Sequence, residues 1–399
     1  SKYIADPEMF GPTPSILTPT IPFIFGWQED GFSDWALTNN IITKDTTNLQ
    51  AFMLTHNRNW NVRASIEPFR DLRIDLNLTH SFSQNRSNFF RYGYDASQNA
   101  DAYMTLNPSQ MGSFSMSTIT WGSAFEPLKK GGDYSSKVFS QFSENRIIIA
   151  HRLASQRPGY NANDVDTYGF PSGYGRTAQD VLIPAFLAAY TNKDAKEVGL
   201  ETFPSIFKAL PNWRITYDGL GKIPALKKIF RTVNITHNYR STFNIGSYKT
   251  RLENEYYESD GFNIIRDEIE NYYSKYEING ISISEQFSPL LSIDVTMINS
   301  FIVKLELKKT RNLNMSFSNN QLTDMKNDEY IIGTGYRFKD VEINIKSGGR
   351  TRNFKSDLNV RLDFSLRDNL TVTRKLEEGF NQPTAGTKTY TIKASADYV

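Results

Sequence analysis

The chain has 399 residues, with 45 Lys and Arg against 43 Asp and Glu, four His, no Cys and a net charge of +2. The balanced charge provides no general electrostatic basis for binding nucleic acid, and the lack of cysteine excludes disulfides, thiolate catalysis, iron–sulfur clusters and cysteine-bound zinc. A mean hydropathy of −0.48 is low for a globular chain, yet 27 Phe and 21 Tyr are too many for a disordered one. Composition therefore predicts a folded chain without one large apolar core.

The N-terminal third shows strict alternation of apolar and polar residues. It runs from Trp60 to Glu67 and again from Leu72 to Ser83, with a tight turn at Pro68 to Asp71 between the two segments. Period two over about twelve residues exceeds the usual length of a strand in a soluble protein. This pattern predicts a long antiparallel hairpin with one apolar and one polar face.

The middle of the chain changes to helical spacing. Helices are expected over Ser135 to Ala154 and Thr177 to Tyr190, with a short one at Pro224 to Phe230. The longest apolar run, Val181 to Tyr190, has about half the length of a membrane-spanning helix, so we expect none. Residues 125–212 are accordingly predicted to form a partly helical insertion, packed in or beside the sheet.

Alternation returns in the second half. Short turns are expected at Ser288 to Leu290, Thr310 to Asn312, Phe338 to Asp340 and Arg367 to Asn369, with longer polar loops at 319–328, 347–354 and 375–388. Short turns at one end and long loops at the other are typical of an outer-membrane meander. A soluble β-sandwich with a wet polar face is the structural alternative.

The predicted fold class is therefore all-β, an antiparallel transmembrane β-barrel segment with a partly helical insertion. Residues 1–124 are expected to form an N-terminal loop region and barrel strands, and residues 213–399 a meander that is incomplete at its C-terminus. The polar face is predicted to line a wet lumen. Its expected members are Arg63, Glu67, Arg73, Asp75, Asn77, Asn234, Asn238, Arg240, Asp294, Lys304, Glu306, Glu342, Lys346, Arg361 and Asp363.

The search for reaction chemistry finds no pattern of catalytic or metal-ligating residues. The four histidines are scattered, Gly333 and Gly335 lie within a predicted strand, and the carboxylates Asp267, Glu268 and Glu270 sit in a predicted surface loop. We therefore expect no enzyme activity, no cofactor and no metal site.

The amino-acid sequences of several segments resemble those of a known protein family. In order along the chain, these segments are Glu67 to Phe82, Val181 to Ala195, Leu210 to Leu220, Ile235 to Tyr248, Glu285 to Met297, Asp328 to Asp340 and Lys355 to Asn369. Together they resemble the C-terminal part of the SprA (Sov) family, the outer-membrane translocon of the type IX secretion system in Bacteroidota. The resemblance implies a place in the wall of a giant barrel that exports folded cargo proteins, including gliding adhesins.

The same resemblance implies partners. It predicts a PorV-like partner barrel or a plug protein at a lateral opening, secreted cargo, the lipid membrane and the remainder of the barrel itself, with no nucleic acid. The chain lacks the long N-terminal region of that family, ends in mid-meander and begins with no signal peptide, so we expect it to be a piece of a longer protein. A TonB-dependent nutrient receptor is the alternative function, and a soluble carbohydrate-binding β-protein a third.

Overall fold

The computed structural model describes residues 44, 50–95, 99–126, 132, 134–251, 258–259, 262–347 and 350–398. The predicted N-terminal loop region falls almost entirely outside this part of the chain. Within it, antiparallel strands dominate, as the alternation predicted. Their bounds are β1 (Phe52–Phe69), β2 (Leu72–Asp95), β3 (Ala100–Ser117), β4 (Asn212–Tyr217), β5 (Phe230–Thr250), β6 (Glu258–Ser259), β7 (Phe262–Asn263), β8 (Tyr276–Ile278), β9 (Gly280–Met297), β10 (Phe301–Ser316), β11 (Gln321–Ser347), β12 (Arg350–Lys375) and β13 (Asn381–Tyr398).

One large sheet contains all of these strands except β6 and β7, which pair with each other. Its order is β1-β2-β3-β5-β9-β10-β11-β12-β13, while β4 lies between β2 and β5 and β8 pairs with the end of β5. In the described part of the chain the sheet is open, with β1 and β13 at its edges. The predicted β1–β2 hairpin is confirmed, and Asp71 takes the left-handed conformation in its turn, with φ of 72°.

Helices occupy the predicted insertion and the residues just before it. They are α1 (Trp121–Ala124), α2 (Lys137–Ala154) and α3 (Gln179–Tyr190), so both long predicted helices are confirmed. The hydroxyl of Ser136 accepts a hydrogen bond from the Phe139 N–H at 3.1 Å and so caps the start of α2. The short helix predicted at Pro224 to Phe230 is wrong. Those residues form a few successive turns, because the chain enters β5 at once and the helix has no room to propagate.

Four predicted turns in the second half are also wrong. The segments at Thr310 to Asn312 and Arg367 to Asn369 lie inside the uninterrupted strands β10 and β12. Ser288 to Leu290 and Phe338 to Asp340 are bulges within β9 and β11. The predicted long loops at 319–328, 347–354 and 375–388 are mostly strand. The chain turns instead at 298–300, 317–320 and 376–380, so its strands are longer than predicted and their connections here are short at both ends.

The hydrophobic core lies between the insertion and one end of the sheet. All ten residues from Val181 to Tyr190 are buried, as expected for a helix that is apolar on every side. They pack, with one side of α2, against apolar strand residues that share a single face of the sheet. That strand set is Phe114, Met116, Phe243, Ile245, Ile281, Ile283, Leu313, Met315 and Leu322. The insertion therefore lies beside the sheet, on its apolar face.

Buried charged side chains of the strands hold the insertion against this face through hydrogen bonds. Arg311 and Asp324, both almost fully buried, form a two-fold contact with N–O distances of 3.0 and 2.9 Å, and Arg311 also donates to the Ser123 carbonyl at 2.7 Å. Lys326 donates to the Glu126 carbonyl at 3.0 Å, and Arg374 to the Tyr134 carbonyl at 2.6 Å. Charged strand residues thus satisfy backbone acceptors of α1 and of the insertion that would otherwise be buried without partners.

A reciprocal contact comes from the insertion. Arg146 of α2 donates to the carbonyls of Arg176 at 3.0 Å and of Leu376 at 3.3 Å, beyond the end of β12. Burial, with the nearby Arg176 charge, lowers the pKa of Arg146 to about 10. The side chain still carries its charge at neutral pH, so both hydrogen bonds remain charge-assisted.

The Arg311–Asp324 pair makes a testable contribution to stability. We expect Arg311→Met to lower the free energy of unfolding by about 3–5 kcal/mol, because it leaves the Asp324 carboxylate buried and unpaired. The matched control is Arg73→Met, which breaks an exposed pair with Asp75 at 2.9 Å and should cost under about 1 kcal/mol. Denaturant unfolding followed by tryptophan fluorescence measures both, and equal losses in the two variants would contradict the assignment.

Candidate functional site: a sheet with one polar and one apolar face

The polar face of the sheet carries a continuous row of hydrophilic positions across six strands. In an antiparallel pair, residues directly opposite each other point to the same face. Register pairing therefore places one residue from each of β5, β9, β10, β11, β12 and β13 side by side on this face. The row is Asn234, Asp294, Lys304, Gly333, Asp363 and Lys393. Five of its six members are polar or charged, and the sixth is a glycine.

A recess of about 410 Å³ lies on this face. Ion pairs of alternating sign run along and beside it: Glu306 lies 2.8 Å from Lys304 and 3.5 Å from Lys308. Glu329 lies 3.8 Å from Lys308 and 2.9 Å from Arg367. The lining carries four cations (Lys304, Lys308, Arg361 and Lys393) and three anions (Asp294, Glu306 and Asp363), so the recess combines high polarity with little net charge.

Glycine at position 333 keeps the recess open to these side chains. A Cβ atom there would lie 2.2 Å from the Asp363 carboxylate oxygen and 3.3 Å from the Lys304 Cβ. The Asp363 carboxylate therefore occupies the space that a side chain at 333 would take. Gly333 and Gly335, which form a GxG motif, thus shape the polar face of the sheet. They do not form a phosphate-binding loop, because no helix follows them.

The structure brings five of the fifteen predicted lumen residues together at the recess. They are Asp294, Lys304, Glu306, Arg361 and Asp363. The others lie elsewhere along the sheet.

Arg63, Arg73, Asp75 and Asn77 lie on the polar face of β1 and β2, where Asp75 accepts from Arg73 and Ser65 at 2.9 and 2.8 Å. Asn234 and Arg240 lie opposite Asp294 and Gln286, Asn238 opposite Arg214, and Glu342 opposite Lys355. Glu67 is exposed near the β1–β2 turn. Lys346 lies in β11 opposite Thr351, and its side chain is outside the described part of the structure.

Sequence reasoning missed several residues of the recess. Lys308 and Lys393 line it, and Glu329 and Arg367 extend its chain of ion pairs. Lys308 follows Lys304 and Glu306 with the same parity, which was the available signal. The turns predicted at Thr310 and Arg367 would end this alternation, whereas in the structure β10 and β12 continue through both positions.

The opposite face carries an apolar row directly beside the polar one. Register pairing aligns Ile235, Ile293, Leu305, Ile332, Phe364 and Ile392 on the same six strands. Several of these large side chains are exposed, including Ile332 at 58% and Ile392 at 73%. Along β11 the exposed apolar zone runs from Tyr330 to Phe338, which at about 3.3 Å per residue is about 26 Å of strand. We call this zone the apolar belt.

Charged and aromatic side chains mark the edge of the apolar belt nearest the insertion. Lys309, Asp328, Asp368 and Lys388 form a row on the apolar face of β10 to β13, and Lys309 bonds Asp328 at 2.9 Å. The same row continues into Phe287 of β9 and Tyr239 of β5. The apolar belt therefore ends at one level across all of these strands.

An aromatic cluster occupies that level on the same face, where β4, β5 and β9 lie side by side. Trp213 stacks on Tyr239 with ring centroids 4.4 Å apart, and Trp121 of α1 stacks on Trp213 at 5.5 Å. Phe287 contacts Tyr239 at 4.8 Å and Trp121 at 5.5 Å. Tyr239 and Phe287 are buried, whereas Trp121 is 39% exposed, so the cluster presents an amphipathic ring at the border of the apolar zone, as is typical of a membrane–water interface.

The histidines have ordinary structural partners. His80 contacts the Pro204 carbonyl at 3.1 Å, His151 the Tyr160 hydroxyl at 2.7 Å, and His237 the Leu290 carbonyl at 2.6 Å. Across the described ranges, no three His, Asp or Glu side chains are grouped in a way that could hold a metal ion. None of the helices in those ranges is both long and apolar enough to cross a membrane.

The two faces predict opposite responses to one substitution. Thr391 and Ile392 are neighbours in β13, both are exposed, and they point to the polar face and to the apolar belt respectively. If the belt faces lipid, Ile392→Arg should destabilise the inserted protein by about 2–4 kcal/mol, whereas Thr391→Arg should have almost no effect.

Urea titration of the protein folded into lipid vesicles measures this difference. A surface that faces water would tolerate both substitutions, so equal stability of the two variants would contradict a lipid-facing belt.

Sequence comparisons assign this chain to no family, so its function is argued from the geometry of the sheet. No protein-family model matches the chain, and no curated protein matches it in sequence. The fold itself, an antiparallel β-sheet with a small helical insertion, is compatible with an outer-membrane β-barrel. The resemblance to the SprA family stays a prediction.

Proposed function

We propose that this chain forms part of the wall of an outer-membrane channel that exports folded proteins, the translocon of a type IX secretion system. The observation that carries the proposal is the pair of adjacent rows across six strands, one apolar and exposed, the other hydrophilic with a charged recess. A membrane-spanning strand needs both surfaces at once, one for lipid and one for a wet lumen.

Backbone chemistry supports a barrel. Strands in hydrocarbon leave no N–H or C=O without a partner, so they occur only in closed sheets. Over the apolar belt β9, β10 and β12 are paired on both sides, as is β11 from Tyr330 to Tyr336, and the two edge strands would pair with further strands of the barrel. The belt's length of about 26 Å fits a tilted strand of roughly nine to eleven residues across the bilayer.

The connections support an orientation for the chain. The two long connections, the insertion and the segment 251–279, leave the sheet toward the end that also carries the short turns 317–320 and 376–380, whereas the turns at Arg70 to Asp71 and 298–300 lie at the other end. In outer-membrane barrels the short turns face the periplasm and the longer connections face outward. The insertion would then lie on the cell-surface side, above the apolar belt.

The polar wall suits protein cargo better than one small ligand. Its charges alternate in sign and are largely paired with one another, so no strong fixed charge would hold a passing protein surface. The ordered sequence resemblance to the SprA family supports the same conclusion. In this proposal a PorV-like barrel and a plug protein are the expected partners, and a TonB-dependent receptor is the rival that the experiment must exclude.

The test uses the natural absence of cysteine. In the full-length protein in its own membrane, with any cysteine outside these 399 residues replaced by serine, Thr391→Cys and Ile392→Cys introduce single thiols on the polar face and on the belt. We expect Thr391→Cys to react with a membrane-impermeant maleimide and to form bismaleimide crosslinks with a secreted folded protein that carries one cysteine. Ile392→Cys should form neither product.

Two results would overturn the proposal. Equal labelling of both thiols would place both faces in water and remove the membrane wall. Labelling of Thr391→Cys alone, with normal secretion but no crosslink to cargo, would leave a barrel of another function, such as a nutrient receptor.

A further inference from the structure

Strands β3 and β4 occupy one position in the sheet, and the insertion interrupts them. β3 pairs with β2 over His80–Asp95, β4 pairs with β2 over Leu72–Asn77, and both also pair with β5. The chain leaves this line after Ser117 and returns to it at Asn212. The Leu210 N–H donates to the Ser117 carbonyl at 3.1 Å, so the departing and returning ends lie side by side. The insertion therefore leaves from the middle of a strand.

Side chains close the interruption on both sides. The Thr79 N–H of β2 donates to the Ser117 Oγ at 3.0 Å, and the Ser241 N–H of β5 donates to the Asn212 Oδ1 at 2.7 Å. These contacts replace hydrogen bonds that a continuous strand would make with its neighbours. The sheet thus stays closed where the insertion leaves it.

The insertion stands on the same face of the sheet as the apolar belt. Its core contacts are with apolar strand residues of that face, including Phe114, Phe243 and Met315. In the proposed channel this face meets lipid and the opposite face meets the lumen. The insertion would therefore lie outside the wall, beside the bilayer, and not within the pore.

The apolar belt extends to β1, where its border nearest the insertion is well defined. Trp60, Val62, Ile66 and Phe69 lie on the belt face of β1 and are all about half exposed. From Trp60 to Phe69 the zone measures about 30 Å of strand, close to its length on β11. Beyond Trp60 the same face continues with Arg58. Trp60 therefore marks the border of the belt on this strand.

A loop of the insertion contacts the sheet at this border. Trp60 is directly opposite His80 of β2, and the His80 Nε2 lies 3.1 Å from the Pro204 carbonyl oxygen. After Pro204 the chain makes one short 3-10 turn, Ile206–Lys208, before it rejoins the sheet. Phe207 in this turn is 95% exposed, more than any other large apolar side chain in the described part of the chain. Nothing in the fold of the insertion requires that exposure.

Other side chains at the border suit contact with lipid. Trp121 and Phe125 are 39% and 43% exposed where α1 meets the edge of the belt. Lys208, next to Phe207 in sequence, pairs with Glu201 at 2.7 Å, so its charge is balanced. Exposed aromatic rings beside a long amphipathic side chain are typical of the headgroup region of a membrane. The loop and α1 thus present such rings at two places along the border.

We propose, on the basis of the channel function above, that the side of the insertion nearest the belt is a membrane anchor, with Phe207 seated in the headgroup region of the adjoining lipid leaflet. Removal of the exposed ring from water would provide the attraction. Because the neighbouring charges are paired, the anchor would accept a neutral lipid surface. The insertion would then be held on lipid beside the pore and leave the lumen free.

Depth-dependent fluorescence quenching tests the anchor in the full-length protein, reconstituted into phosphatidylcholine vesicles, with any cysteine outside these 399 residues replaced by serine. Bimane is attached to a single cysteine at one of three positions. The first is Phe207. The second is Leu362, an exposed residue opposite Thr334 in the middle of the belt. The third is Ile269, which is exposed in the long segment that follows β5 and rejoins the sheet at Thr250, far from the belt.

Each position should respond differently to nitroxide-labelled lipids. We expect a nitroxide near the headgroup to quench the label at 207, and a nitroxide at the end of the acyl chain to quench the label at 362 more strongly. Neither lipid should quench the label at 269, the matched control for an exposed apolar position on the same side of the membrane.

Two substitutions show whether Phe207 itself holds the loop on lipid. With bimane at position 205, where Ser205 is exposed in the same loop, Phe207→Leu should retain quenching by the headgroup nitroxide. Phe207→Asp should lose most of it, because a carboxylate is costly to bring into the apolar part of a bilayer. Separate samples labelled at 362 show that both variants remain folded and inserted.

The possible results separate the anchor from the channel. Quenching at 362 without quenching at 207 would overturn the anchor and leave the proposed channel in place. Loss of quenching at both positions would overturn both proposals. Equal quenching at 205 in the Leu and Asp variants would mean that the loop is only close to lipid, which also overturns the anchor.

Discussion

The pairing of long antiparallel strands is the constraint on which the rest of this structure depends. Once two strands pair, residues directly opposite each other share a face, and each step along the strand switches faces. A register set at one end of the sheet is therefore carried to the other. The apolar row through Leu305 and the polar row through Lys304 arise from this rule, and a slip of one residue would exchange them.

The same apolar face meets two different environments along its length. Toward the turns at Arg70 to Asp71 and 298–300, the side chains of this face are exposed in the apolar belt. Beyond the level of Lys309 and Phe287, the insertion covers them. This division explains why strands of up to 27 residues contain an exposed apolar zone of only about nine residues. One part of each strand would meet lipid in the proposed channel, and the other part packs in a protein core.

Buried charge accompanies that change of environment. Arg311, Asp324 and Lys326 point to the apolar face, which would be costly in lipid, but there they meet each other and the carbonyls of the insertion. Arg311 interrupts the alternation in β10, and Asp368 does the same in β12, so the sequence predicts turns at both places. Such polar clusters are typical of exposed strand ends, and nothing in the local sequence indicates that a helix 120 or more residues earlier covers them.

The sequence by itself determined the class of structure and its two faces. Alternation predicted the strands, the β1–β2 hairpin and the polar character of Lys304, Glu306 and Asp363, and helical spacing predicted α2 and α3, because both periodicities are local properties of the chain. Only the tertiary structure decided where strands end, which polar residues converge on the recess, and which apolar residues are covered and which exposed. These outcomes depend on register between distant strands and on the docking of the insertion, and neither is encoded in any single segment.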